Sequence, residues 1–534
     1  MGLATASARR WRPTSRIPLG LMTLSLCVAL LVLAPMAWTV AQAASFGLRQ
    51  GGQLLLRPLV GELAENTLLI VCAATAICAV LGTSAAWFVE RTRLPGRRLW
   101  ALFAAVPLAV PPFISSYAWV SFSPALQDFG GALLVVCCAY YPLIYLPVAA
   151  ALRGMDPGLE EAARSLGLAP GACFRRVVLP QLRPALLGGM LLVALSVLTE
   201  FGAFALLRFR TFTTEIYAEY RAGFDGSGAA LLACVLMLLC VICVLLEFRV
   251  RGRARYDRLD RGARRAAMRY ELGWLKWPVL GGFALLALAT LGVPLGMTAY
   301  WLFQQGDAAT APVMVSASQL LSACGASLEL GLSGAVLTTA MAFPLGLLLI
   351  RHPGRLSRIF ERVAYLGQGV PGIVIALAVI SLAIRAIQPL YQSTLLLLLT
   401  YAVLFLPLAL VGVRSALVQV ERRLEHAARS LGLNSWQTLW RVTLPLVAPG
   451  IGAAAAMVFL SVTTELTATL LLAPIGTQTL ATEVWADTST LAFADAAPFA
   501  AILIAISLFA TWLLMSLYGK SAIPGVAHAG HDHG

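Results

Sequence analysis

Twelve runs of more than twenty mostly apolar residues divide this chain, and no other feature limits its possible folds so tightly. They fall at roughly 17–41, 66–89, 99–121, 130–152, 184–207, 227–248, 277–303, 328–350, 363–384, 393–413, 449–473 and 496–518. About 20 residues at 1.5 Å each cross the hydrocarbon core of a bilayer. The expectation is an all-α polytopic membrane protein with twelve transmembrane helices. Composition agrees, since 59% of the 534 residues are hydrophobic and only 12% charged. A soluble domain carries about twice that charge. The balance excludes a soluble enzyme, a disordered chain and a collagen-like chain.

The net charge of +14 raises nucleic-acid binding as a function, and the distribution of charge excludes it. With the N-terminus in the cytoplasm, the inside segments are 1–16, 90–98, 153–183, 249–276, 351–362, 414–441 and the tail from 519. Together they hold 33 of the 39 Lys and Arg. The outside set is Arg49, Arg57, Arg208, Arg210, Arg221 and Arg385. A miscounted span would invert every later loop and destroy this bias, so both termini are expected inside. Arg9, Arg10, Arg12 and Arg16 before a run ending in Ala41-Gln42-Ala43 also fit a cleaved secretory signal. The length of that run favours an uncleaved first span, which completes two sets of six. The ten cysteines give no disulfide framework. Cys240 and Cys243 form a C-x-x-C inside a spanning run, where small packing residues are expected.

The chain repeats itself at half its length. Glu160-Glu161-Ala162-Ala163-Arg164-Ser165-Leu166-Gly167-Leu168 recurs 265 residues later as Glu425-His426-Ala427-Ala428-Arg429-Ser430-Leu431-Gly432-Leu433. The match continues through Leu179-Pro180 with Leu444-Pro445 and Thr199-Glu200 with Thr464-Glu465, while Val110-Pro111 corresponds to Val370-Pro371 after a small shift. The organisation expected is a cytoplasmic N-terminus (1–16), a six-span half (17–248), a basic linker (249–276), a second six-span half (277–518) and a His-containing tail (519–534). The linker reads as a topology anchor beside anionic lipid. Both repeated stretches fall in inside loops, before spans 5 and 11. In the first, Asp156 suits an N-cap, Pro157 the first helical position and Gly167 the left-handed C-terminal position. Glu160 and Glu161 lie near the positive end of a short helix whose Ala162 and Ala163 allow close approach. A proline at 180 then redirects the chain into the next span.

The pattern E-A-A, three residues, G, nine residues, a β-branched residue, any residue, L-P resembles the signature loop of permease subunits of ABC importers. Glu161-Ala162-Ala163, Gly167, Val177 and Leu179-Pro180 fit it throughout. The second copy keeps Ala427-Ala428, Gly432, Val442 and Leu444-Pro445, with His426 at the glutamate position and Glu425 one residue early. The whole chain resembles the fused twelve-span permeases of the ferric-iron group, whose relatives also import thiamine, phosphonates, polyamines, sulfate and molybdate. Glu200-Phe201-Gly202-Ala203-Phe204 and Thr211-Phe212-Thr213-Thr214-Glu215-Ile216-Tyr217 look most like the iron members. The resemblance implies a type I importer in a bacterial inner membrane. Each half would offer a coupling helix to one of two copies of a cytoplasmic ABC ATPase, and a substrate-binding protein would deliver cargo at the outer face. It also implies no catalytic residue, cofactor or metal in this chain, with ATP and Mg on the partner. The fragment Gly519-Lys520-Ser521 has Leu514 where a phosphate-binding loop needs glycine. Thiamine, phosphonate or polyamine is the alternative cargo.

Within the spans, Glu200 and Glu465 occupy equivalent places, roughly 24 Å along spans 5 and 11 by helix rise. Buried ionisable groups are costly. Two carboxylates facing each other would offer hard oxygen ligands to a cation, and the competing expectation is that they cap broken helices. Glu215, Tyr217, Glu219, Tyr220 and Asp225, with Glu483 and Asp487, form either a docking surface for the binding protein or a solvated loop. Arg385 is expected to snorkel. His528, His531, Asp532 and His533 have a metal-like composition with nothing rigid to orient them. A gradient-driven secondary transporter would share the twelve spans but has no reason to duplicate the E-A-A loop. A membrane enzyme would need a catalytic motif, and none is present.

Overall fold

The computed structural model describes residues 17–223, 226–251, 269–304 and 315–522. Among them there is no β-strand, and ten helices are long and apolar enough to cross a membrane. In lipid each span must satisfy its own backbone hydrogen bonds, which the helix alone does within one segment. Six of the ten are Leu19–Ser45, Pro58–Arg91, Phe129–Gly154, Ala317–Arg351, Thr394–Gln419 and Phe493–Leu513.

Spans 3 and 9 depart from the uninterrupted helices expected over 99–121 and 363–384. Span 3 is Arg97–Ala109 followed by Pro112–Phe122, bent by 96°. Span 9 is Arg355–Leu366, a 3₁₀ turn Gly367–Gly369 and the helix Gly372–Ala386. Both breaks fall at a Val-Pro pair. Val110 and Val370 are extended, with ψ of 115° and 124°, as a residue before proline prefers. Pro111 and Pro371 then lack the N–H that would continue the ladder. Spans 5 and 11 also end early, at Thr199 and Thr463, and not at 207 and 473. Short helices Gly202–Leu206 and Thr467–Leu472 follow each break. The polar stretches beyond them contain Phe212–Gly223 and Leu480–Ser489.

Each half is built on three packed helices, spans 2, 4 and 5 in the first and 8, 10 and 11 in the second. Small residues allow the backbones to approach. A Cβ added to Gly82 would lie 2.9 Å from Ile144 Cβ, and one added to Gly412 would lie 2.5 Å from Ala454 Cβ. The first span of each half crosses to the other half. Span 1 packs on spans 8 and 9, where Trp38 Nε1 donates to Ser381 Oγ at 3.0 Å. Span 7 packs against the broken span 3.

Candidate functional site

The two repeated loops fold alike. The first is the helix Pro157–Ser165, where Asp156 Oδ1 accepts from Gly158 N at 2.9 Å. Gly167 has φ +84°. Its N–H donates to Arg164 O at 2.9 Å and that of Leu168 to Ala163 O at 3.2 Å. The second is Arg422–Ser430, where Gly432 has φ +91° and the same two bonds run from Gly432 to Arg429 and from Leu433 to Ala428. Both ends are Schellman motifs, which need a residue tolerant of positive φ. Both loops run through a π-helical turn, Phe174–Val178 or Leu439–Thr443, into Leu179-Pro180 or Leu444-Pro445. The missing proline N–H accounts for the widened turn.

Burial separates the loop residues into two sets. Glu160, Ala163, Glu425 and Ala428 are buried against the spans. Glu161, Ala162, His426 and Ala427 are exposed, so the two copies differ at a position facing away from the scaffold. Leu166 and Leu431 project most, each 85% exposed. Leu159 and Leu424 on the same two helices are exposed as well.

Arginines ending spans 2 and 8 hold the buried glutamates, and reading the sequence missed both. Arg351 Nη2 pairs with Glu425 Oε1 at 2.5 Å, and Thr443 Oγ1 donates to the same oxygen at 3.1 Å. Arg91 Nη1 lies 3.5 Å from Glu160 Oε2, and the Tyr270 hydroxyl donates to Glu160 Oε1. The signal was present, because Arg91 and Arg351 share the 260-residue offset of Val110 and Val370.

The four broken spans meet around one cavity of about 350 Å³. Glu200, Glu465 and Tyr140 line it with Pro111, Gly372 and Thr464. Each glutamate caps the short helix after its own break. Glu200 Oε1 accepts from Ala203 N at 2.9 Å, while Oε2 accepts from the Tyr140 hydroxyl. Glu465 Oε1 accepts from Thr467 N and Ala468 N, both at 3.1 Å. The capping role and a place on the cavity wall therefore coexist in both residues. Tyr140 was also missed, since Phe405 stands 265 residues later and no repeat signal marks it.

The other candidates lie apart from this cavity. Glu215, Tyr217, Glu219 and Tyr220 are on Phe212–Gly223, with Tyr217 against Phe201 at 4.9 Å between ring centroids. Glu483 and Asp487 are on Leu480–Ser489. Burial, with Glu483 and Asp495 nearby, pushes the Asp487 carboxyl up to about 6. Arg385 is exposed near the end of Gly372–Ala386. Cys240 and Cys243 are free thiols. Asp225 and the histidine tail lie outside the described residues.

Comparison with known proteins gives a consistent result. The profile of the binding-protein-dependent transport system inner membrane component matches residues 1–256 and 342–519. The chain is 35% identical to the Fe(3+)-transport system permease protein FbpB 2 of Haemophilus influenzae, over 93% of its own length and 98% of the relative's. It is 21% identical to the ferric transport system permease protein FbpB of Actinobacillus pleuropneumoniae, over 90% and 74% of the two chains. Similarity to the sulfate transport system permease protein CysT of Salmonella typhimurium is 28%, over 44% of this chain and 91% of that one.

Proposed function

The chain belongs to the family of binding-protein-dependent transport system inner membrane components, and from that premise we propose that it is the permease of an ATP-driven importer of ferric iron. It is a multi-pass membrane protein and a transporter subunit. The observation that carries the cargo is the similarity to a ferric permease along 93% of the chain. The cavity chemistry agrees, because two carboxylates and a phenol suit a hard cation and repel an oxyanion such as sulfate.

In this reading a binding protein docks on the outer face, at Phe212–Gly223 and Leu480–Ser489, and releases iron into the cavity. Glu200 and Glu465 line the path of the ion. Two copies of a separate cytoplasmic ABC ATPase hold ATP and Mg, and each grips one coupling helix. One helix carries Glu160, Glu161, Ala162, Ala163 and Gly167, and the other carries Glu425, His426, Ala427, Ala428 and Gly432. The projecting Leu166 and Leu431 enter the ATPase surface. The segments through Leu179-Pro180 and Leu444-Pro445 carry the thrust into spans 5 and 11, whose far ends are the breaks at Glu200 and Glu465. Closure of the ATPases on ATP opens the path outward, and hydrolysis opens it inward. The termini and both coupling helices are cytoplasmic, as the arginine distribution favours.

Uptake of radiolabelled ferric iron by cells with and without the chain tests this reading. Loss on deletion, restored by the intact protein, is the expected result. Unchanged ferric uptake, with thiamine, phosphonate or polyamine uptake lost instead, would overturn the cargo.

A further inference from the structure

The two coupling loops are tied down by different parts of the molecule. Glu425 is held by Arg351 and Thr443, both from its own half. Glu160 is held partly from outside its own half, because Tyr270 belongs to the end of the linker that leads into span 7. Four further contacts fix that tyrosine. Its N–H donates to Arg91 O at 2.8 Å and its carbonyl accepts from Arg93 N at 2.9 Å. Its ring stacks on Trp87 at 5.9 Å, and the Arg164 guanidinium lies 5.2 Å from its centroid. Burial and the Glu160 hydrogen bond push the phenol up to about 12, so it remains a donor at physiological pH.

The arginine beneath does not do the same work as its counterpart. The Arg91 side chain is 1% exposed, and none of its three guanidinium nitrogens makes a hydrogen bond. The hydroxyl of Tyr270 is thus the one hydrogen-bond donor on the Glu160 carboxylate among the described residues. Along the chain, Tyr270 lies near the end of the basic linker, a few residues before span 7 opens the second half.

We propose that Tyr270 is a positioning residue that fastens the first coupling helix to the end of the linker from which span 7 of the second half begins. Movement imposed on that helix by an ATPase then reaches the start of span 7 through one side-chain hydrogen bond, a link to the linker that the second coupling helix lacks among the described residues. This rests on the assignment of the loops as ATPase-docking helices.

The test uses the full permease with its ATPase and binding protein in proteoliposomes, measuring iron moved per ATP hydrolysed. Tyr270→Phe keeps the ring on Trp87 and beneath Arg164, so it removes the hydroxyl alone. Iron per ATP should fall about tenfold, the scale of losing one hydrogen bond to a charged group. ATPase co-purification should stay at the wild-type level, while the melting temperature falls modestly because a buried carboxylate loses its donor. In a Glu160→Ala background the same change should have no further effect, because the hydroxyl acts through that carboxylate. Wild-type stoichiometry in Tyr270→Phe would overturn the proposal, as would an equal loss in both backgrounds. Failure of the unmutated permease to retain any ATPase would instead overturn the docking assignment.

Discussion

The two coupling loops have the same backbone and different supports. Both end in a positive-φ glycine closed by two hydrogen bonds, and both bury one glutamate over one arginine. The first has an aspartate cap and a tyrosine from the end of the linker, while the second has a tight ion pair and no side-chain cap at Glu421. What is held constant is the shape of the surface offered to a partner. The means of holding it are free to drift.

The most damaging way to break the comparison is at the constant part. A β-branched side chain at φ +84° or +91° is strained by about 1–2 kcal/mol even in open space. Gly167→Val and Gly432→Val should each abolish iron uptake while the protein still inserts and purifies intact. Because the shared geometry is what matters, the two losses should be of similar size, as transport assays on membranes from expressing cells would register. Normal uptake by both variants would sink the docking role.

Next in size is the cavity, where the halves again differ in support. Glutamine keeps the carbonyl oxygen that caps Gly202–Leu206 or Thr467–Leu472 and removes the charge. Glu200→Gln and Glu465→Gln should each lower ferric uptake about tenfold or more, as losing a charged ligand of a hard cation implies, with melting temperature little changed. Tyr140→Phe, which frees the second oxygen of Glu200, should have a smaller effect that vanishes in the Glu200→Gln background. Full uptake with both carboxylates replaced would remove them from the path.

The parts of this architecture readable from the chain are those fixed by local chemistry. Runs of twenty apolar residues announce spans, and Asp156, Pro157 and Gly167 announce a short capped helix, because each acts within a turn or two of itself. The breaks were hidden because the apolar run continues through them. Val110-Pro111 and Val370-Pro371 look like ordinary apolar residues until the extended valine and the missing N–H are seen together. Glu200 and Glu465 were visible as repeated charges, yet which partners they take depends on how the chain turns after Thr199 and Thr463. Tyr270 could not be read at all. Its role arises from the linker folding back onto the first half, and its equivalent position one repeat earlier, near residue 5, lies outside the described residues.

The ion pairs sharpen the comparison further. Removing one member of a buried pair typically costs about 3–5 kcal/mol, because the other is left charged and alone. Arg351→Met should approach that value, since it breaks a 2.5 Å pair whose arginine has one unbonded buried nitrogen. Arg91→Met should cost roughly 1–3 kcal/mol less. It removes three buried donors that are already unsatisfied, and Glu160 keeps the Tyr270 hydroxyl. Thermal unfolding of both variants in detergent reads the difference, and equal shifts would mean that the tyrosine contributes nothing to loop stability.

The smallest effect lies on the opposite face, where Asp487 of the second half has Ala222 265 residues before it. Burial beside Glu483 and Asp495 raises the Asp487 carboxyl from 3.8 to about 6. A carboxyl raised on folding binds its proton more tightly in the native state, so stability must rise as pH falls through 6 and level off near 4, where the unfolded chain also protonates. The side chain is only partly buried, and solvent screening keeps the slope shallow. Asp487→Asn should flatten it between pH 7 and 4 without moving the melting temperature at pH 4. If Phe212–Gly223 and Leu480–Ser489 together receive the binding protein, the same variant should also remove any rise in docking affinity toward pH 5. A slope that survives in Asp487→Asn would move the titration to Glu215 or Glu483, which burial also raises. Titration at Glu215 would bring the first half into the pH response, whereas titration at Glu483 would leave it in the second.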